Sequence, residues 1–294
     1  MPFDPDTQIP PLTGKVIFIT GGTNGIGRHT VLELAKHAPH EIYFTGRSHA
    51  SATSLIQAAA ALGVKTKLTF LPCEMGSLAS LRRAAALFTP SRLDLFIACA
   101  GIPACPAALT SDGYEVQIGI NLLGNAALVR ALLPVMQRTA SLGLDVRYIA
   151  LTSVGHGVLP RGGIRFETLR SAHETTIGMG AGRRYAQAKL ASLLYARELG
   201  RRYTGITAVA VRPGVARGER EAAFNALWAA TSADVRRMVD SGQMALVEPV
   251  GRASVGVEAC WDEQLAKKLW EWTDDVLEAA SAEAAVDEAM VAGL

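Results

Sequence analysis

From residue 15 onward, short runs of β-branched, aromatic and other apolar residues alternate with longer segments of helical periodicity. Lys15 to Thr20, Glu41 to Thr45, Lys67 to Leu71, Leu93 to Ala98, Arg147 to Thr152 and Thr207 to Val211 read as strands. Their apolar character is nearly continuous, which is what strands covered on both faces require. Helical patterns fill the intervals near 25 to 37, 51 to 62, 77 to 88, 112 to 138 and 183 to 203. This repeating order predicts an α/β fold: one doubly wound parallel sheet with helices on both faces. A ligand crevice then belongs at the carboxyl ends of the strands, where strand order reverses.

Two stretches break the rhythm. Residues 154 to 182 are rich in Gly and Arg and read as a long connection carrying at most one short helix. Residues 217 to 248 open with Arg217-Gly-Glu-Arg-Glu and continue with Phe224, Leu227, Trp228 and Met238. They read as a helical, mobile lid lending an apolar face to a substrate pocket, although the same spacing suits plain packing on the core. The Ala- and Glu-rich tail from 273 is expected to be helical. With no repeat and no linker, the reading is a single domain over 1–294, its core at 12–214.

Composition narrows the partners. The chain has 294 residues, 49% of them hydrophobic, enough for one large core. Lys and Arg number 29 against 27 for Asp and Glu, a net charge of +2. No field of that size argues for nucleic acid or an acidic membrane. The four cysteines, Cys73, Cys99, Cys105 and Cys260, have neither metal-ligand spacing nor disulfide-scaffold density. The acidic, Pro-rich start lacks the basic and apolar regions of a secretory signal. Apolar runs are broken by Gly, Pro or charge before the roughly 18 residues of a membrane span. The expectation is a cytoplasmic protein with no metal site, acting on a small molecule; the pattern leaves its oligomeric state open, a homo-oligomer included.

Local chemistry is more specific. The first strand runs into Thr20-Gly-Gly-Thr-Asn-Gly-Ile-Gly27 and then a helix. Gly21, Thr23, Asn24, Gly25, Ile26 and Gly27 thus form a turn whose unpaired N–H groups and helix dipole suit a pyrophosphate. The second strand ends at Gly46-Arg47, where a NAD-selective site would hold an acid against the ribose hydroxyls. Arg47 offers a guanidinium fork for a phosphate, and Arg28 a second cation, so NADP(H) is the favoured cofactor.

The strand ending Ile149-Ala-Leu-Thr-Ser153 brings a hydroxyl to the crevice, and a later helix carries Tyr185-Ala-Gln-Ala-Lys189. Residues four apart share a helix face, so the Lys189 ammonium sits near the Tyr185 phenol. An ordinary tyrosine ionises near pH ~10, and an adjacent cation lowers that value. Tyr185 could then exchange a proton with a substrate oxygen that Ser153 orients.

The set Thr20 to Gly27, Asn121, Ser153, Tyr185-x-x-x-Lys189 and Pro213-Gly214 resembles the short-chain dehydrogenase/reductase family over residues 12 to 214. The interval between Ser153 and Tyr185, with Ile164-Arg-Phe-Glu167 inside it and Lys189-Leu-Ala-Ser192 after it, is similar to the retinol-dehydrogenase and protochlorophyllide-reductase branch. The resemblance implies a Rossmann-type fold and a catalytic tetrad of Asn121, Ser153, Tyr185 and Lys189, with Asn121 helping hold a water in a proton relay through Lys189. It also implies cofactor contacts from Glu74, Ala100, Gly101, Tyr185, Lys189, Pro213 and Gly214. Three departures stand out. Ala98-Cys99-Ala100-Gly101 replaces the family's Asn-Asn-Ala-Gly, Glu74 stands for its Asp, and either Gly218 stands for the Thr that follows Pro-Gly or the turn there is reshaped. The leading expectation is NADPH-dependent reduction of a ketone or aldehyde on a mostly apolar molecule. The alternatives are a non-redox isomerase or cyclase using Tyr185 as an acid, or a catalytically silent binding protein.

Overall fold

The structure, a computed structural model, describes residues 3–153, 158–172, 180–214, 218–242 and 246–292. Its strands are β1 Val16–Thr20, β2 Glu41–Gly46, β3 Lys67–Pro72, β4 Leu95–Ala98, β5 Val146–Leu151, β6 Ile206–Val211, β7 Leu246–Glu248 and β8 Arg252–Ser254. They form one sheet in the order β3-β2-β1-β4-β5-β6-β7-β8. All pairings are parallel except that of β8 with β7. The six strands read from the sequence are present within two residues at either end. The short β7 and β8 were not foreseen. Strand order reverses between β1 and β4, so the crevice lies above their carboxyl ends.

Successive residues of a strand face opposite sides, and each side has its own core. Ile17, Ile19, Ile42, Phe44, Leu95 and Ile97 pack on one side with helices α2 (Gly25–Ala35) and α8 (Glu219–Thr231). Phe18, Tyr43, Phe96 and Tyr148 pack on the other with α6 (Gly124–Ser141) and α7 (Ala181–Arg202). The helix expected over 112 to 138 is instead a short turn, Val116–Ile118, a π-helical turn, Gly119–Leu123, and then α6. Together Val116–Ser141 is long and apolar enough, by length and composition, to cross a membrane, with Gly119, Gly124, Arg130 and Pro134 interrupting its apolar residues. Here 67% of its most apolar window is buried within the protein, as suits a core helix.

The last helix, α10 (Glu263–Ala292), begins earlier than its Ala- and Glu-rich part suggested. Asp262 Oδ1 accepts from Leu265 N at 2.8 Å and caps its start. It lies along α7, with Trp270 stacked on Tyr195 at a centroid distance of 4.8 Å.

Within 217 to 248, the segment read as a lid, the apolar side chains of α8 pack in the core, while Gly218, Glu219 and Ala222 line a cavity above the strand ends. Ala223, Ala226, Leu227 and Ala229 are fully buried, and α8 packs along α2 as part of the helical layer. Phe224 meets Phe3 edge to face, and Trp228 lies against Gly251. A helical stripe of apolar residues serves a core layer and a lid equally well, and here it serves the core. Arg217 and residues 243–245 lie outside the described residues. As a core helix, α8 is expected to show strong amide protection without any ligand, as measured by hydrogen exchange. Leu227→Ala is expected to cost about 2–5 kcal/mol in urea unfolding. Rapid exchange across Ala222–Ala230 in the free protein would restore the lid.

Candidate functional site

The turn after β1 is built so tightly that Gly21, Gly22 and Gly27 admit no side chain. A Cβ on Gly27 would lie 2.2 Å from the Gly21 carbonyl oxygen, and one on Gly21 would lie 2.8 Å from Ala100 Cα. Gly21 and Gly25 also take positive φ, at 66° and 52°. The turn is pinned from β2, since Gly21 N donates to Thr45 Oγ1 at 3.1 Å and Gly22 N to the Thr45 carbonyl at 2.9 Å. Gly46, at the end of β2, is closed in the same way, since a Cβ there would lie 2.4 Å from Thr23 Oγ1. Thr23 therefore leaves no room for an acidic side chain at the end of β2.

A cavity of about 740 Å³ opens over this turn, inside the ~300–1,000 Å³ range of small-molecule sites. Of the expected cofactor residues, Gly21, Thr23, Asn24, Gly25, Ile26, Gly27, Arg47, Glu74, Ala100, Gly101 and Gly214 line it. Arg28 and Pro213 do not. The glycine cradle, the N-terminus of α2 and the cavity fit a dinucleotide: phosphate oxygens would meet backbone N–H groups at a helix end, with no Cβ in the way. The Arg47 guanidinium is largely exposed at the rim, 4.0 Å from the Glu74 carboxylate.

Several lining residues were not foreseen, among them Cys73, Cys99, Ile102, Ile120 and Glu219. Burial pushes the Cys99 thiol up to about 12 and that of Cys73 up to about 11, so both are protonated, unreactive walls at neutral pH. Glu219, at the start of α8, puts a carboxylate oxygen 4.0 Å from His29 Nε2; its separation in sequence from the glycine turn hid this proximity.

The departure at Ala98-Cys-Ala-Gly101 is compensated from elsewhere. Thr20 Oγ1 accepts from Ala100 N at 2.9 Å and donates to Asn125 Oδ1 at 2.7 Å, while Asn125 Nδ2 donates to the Ala100 carbonyl at 3.0 Å. Asn125, one helical turn after Asn121, is thus the brace that the missing asparagines left vacant. Asn121 itself sits in the π-helical turn, a deformation that recurs at functional positions. Its side chain exchanges two hydrogen bonds with the Ile102 backbone, at 2.7 and 3.2 Å. Its carbonyl accepts from Asn125 Nδ2 and Ser192 Oγ, both at 3.1 Å. The Ser192 hydroxyl has the Ala188 carbonyl, at 3.0 Å, as a second acceptor, so its one proton is shared between the two.

Tyr185 and Lys189 lie on α7, and Ser153 follows the end of β5. The Lys189 ammonium is 5.8 Å from the centroid of the Tyr185 ring and donates to the Leu151 carbonyl at 3.1 Å. Thr152 Oγ1 donates to the Lys189 carbonyl at 2.8 Å, so the strand end and the helix are laced together just before Ser153. Gly101 joins this group to the cavity: a Cβ there would lie 2.8 Å from Asn121 Oδ1 and 3.3 Å from Lys189 Nζ. Asn121, Ser153, Tyr185 and Lys189 do not line the 740 Å³ cavity, and the group adjoins it through this glycine.

Burial pulls Lys189 down from 10.5 to about 8, which still leaves it charged at neutral pH. Between about pH 8 and 10.5 the unfolded chain keeps a lysine proton that the folded chain has lost. Stability therefore rises with pH across that window, and the cost of burying the charge is fully felt only below it. In urea unfolding of the free protein, the parent is expected to gain stability relative to Lys189→Met as pH rises from 8 to 10.5. A flat difference would show that Lys189 does not titrate there.

Comparison with known proteins gives one consistent result. A family model for short chain dehydrogenases matches residues 15–146. The short-chain dehydrogenase/reductase drtF of Aspergillus calidoustus is 30% identical across 92% of this chain and 95% of its own. Retinol dehydrogenase 12 of Mus musculus is 33% identical across 73% of this chain and 64% of its own. Among solved structures, an uncharacterised protein from Mycobacterium paratuberculosis superposes with a TM-score of 0.73 at 26% identity, covering 95% of this chain and 98% of that one.

Proposed function

The chain belongs to the short-chain dehydrogenase/reductase family, in its retinol-dehydrogenase-like branch, and from this premise we propose that it is an NADP(H)-dependent oxidoreductase of carbonyls and alcohols on mostly apolar small molecules. The observation that carries the reading is the junction at Gly101, where the cavity over the glycine turn meets Asn121 and Lys189. When bound, the nicotinamide supplies hydride exchange with the substrate carbon.

The residues of the chain handle the oxygen. In the reductive direction Tyr185 donates its phenol proton to the carbonyl oxygen, and Ser153 donates a hydrogen bond to the same atom. The Lys189 ammonium near the ring stabilises the phenolate left behind. Because Thr152 and Leu151 bind Lys189 at its two ends, cation, phenol and serine keep one geometry through the reaction.

Cofactor choice rests on β2. Thr23 fills the space over Gly46, which removes the acidic ribose clamp and the repulsion of a 2′-phosphate that would come with it. Among the described residues, Arg47 makes a long, exposed contact to Glu74. Such pairs contribute little, so turning the guanidinium toward a phosphate costs little. Arg47→Ala is expected to weaken NADPH binding by about 1.5–3 kcal/mol and leave NADH binding nearly unchanged in fluorescence titrations. Equal weakening of both would assign Arg47 a structural role.

Tyr185→Phe keeps the ring and removes the titrating atom. Its unfolding midpoint and NADPH affinity are expected to match the parent, while kcat on a carbonyl substrate falls about 100- to 10,000-fold. A folded Phe variant with parental turnover would remove Tyr185 from the mechanism.

A further inference from the structure

The residue before Tyr185 is a buried arginine. Arg184 is 1% exposed, and its Nε lies 3.3 Å from Oε1 of Glu115, itself 1% exposed. Burying two charges far from water is costly unless each is held by further polar contacts. Here each is. Arg184 Nη2 donates to the Cys105 carbonyl at 2.8 Å. The second carboxylate oxygen of Glu115, Oε2, accepts from Gln117 N at 3.1 Å and Ile118 N at 2.9 Å, capping the turn that leads into the π-helical segment of Asn121. Gln117 in turn donates through Nε2 to the carbonyl of Ala181, the first residue of α7, at 3.3 Å.

One ion pair thus ties together three parts of the site. They are the start of the helix bearing Tyr185, the turn bearing Asn121, and the loop from Cys99 to Cys105 whose Gly101 and Ile102 line the cavity. Tyr185 follows Arg184 directly and points about 100° away around the helix, so holding Arg184 fixes the rotation of α7 and with it the direction of the phenol. Stability alone does not call for charge at this place, because a buried ion pair exchanged for well-packed apolar residues often leaves a protein as stable as before. Directional contacts to a carbonyl and two capping N–H groups do call for it.

We propose that Arg184 and Glu115 are positioning residues that set the reach of Tyr185 into the site. The proposal rests on reading Tyr185 as the proton donor. Misplacing a reacting group by about 1 Å costs on the order of 100-fold in rate, so small rotations of α7 suffice for a large effect.

The test uses the full chain with Glu115→Leu and Arg184→Met combined, which removes the brace without stranding a charge, and Arg184→Lys, which keeps the charge against Glu115 but shortens the reach to Cys105. Two readouts are taken. One is steady-state NADPH oxidation with a carbonyl panel. The other is the NMR signal of the Tyr185 ring in protein labelled with ¹³C at tyrosine Cζ, assigned by its loss in Tyr185→Phe. The paired variant is expected to fold, to bind NADPH as the parent does, and to lose about 10- to 100-fold in kcat with a smaller change in KM. Its Tyr185 signal is expected to shift or broaden, and Arg184→Lys is expected to fall between parent and paired variant in both readouts. Should the paired variant not fold, Arg184→Lys carries the same comparison. A Tyr185 signal unmoved in the folded variants, with kcat at the parental value, overturns the proposal. If the parent turns over no carbonyl, the functional reading fails, and the NMR signal alone still decides whether the pair positions Tyr185.

Discussion

The contact on which the site depends is the approach of Gly27 to the Gly21 carbonyl, closer than any Cβ would allow. It lets α2 begin directly beneath the end of β1, so the free N–H groups of that helix face the crevice. Neighbouring parts of the cavity are placed against this turn. Thr45 holds it from β2, Ala100 packs on Gly21, and Thr20 reaches Asn125 and from there the carbonyl of Asn121. The glycine turn and the turn bearing Asn121 are therefore one continuous piece of hydrogen-bonded structure. A Cβ at Gly27 would force apart the elements that the chemistry needs together.

Polar groups buried around this frame follow one rule: each is tied at more than one point. Lys189 is bonded through its ammonium and its carbonyl, Asn121 through its side chain and its carbonyl, and Arg184 through Glu115 and Cys105. Such ties resist rotation as well as separation, which the proposed proton transfer would need. The cysteines follow the opposite logic. Burial keeps the thiols of Cys73 and Cys99 protonated, so they can line a redox cavity without joining its chemistry.

Much of this was legible in the chain because it is local. The turn from Thr20 to Gly27 and the four-residue spacing of Tyr185 and Lys189 are patterns whose geometry follows from a strand end or a helix face. Gly46 was legible as the loss of an acid, though its cause, the Thr23 side chain above it, required the fold. What the sequence hid is either short or distant. β7 and β8 are three residues each and carry no periodicity. Asn125, Glu219 and the Glu115–Arg184 pair act on partners far along the chain, which no local pattern signals. The apolar stripe of α8 suits a core layer and a lid alike, because a helix buries the same face whether it covers a sheet or a substrate.

Isotope transfer tests the central claim, hydride exchange at this site, most directly. The protein is incubated with a carbonyl substrate and NADPH bearing deuterium at both C4 positions of the dihydronicotinamide ring, and the product is examined by mass spectrometry. The account predicts an alcohol carrying one deuterium on its carbinol carbon. Product without deuterium, or a substrate rearranged while the cofactor stays reduced, would contradict it and identify a non-redox reaction on this scaffold.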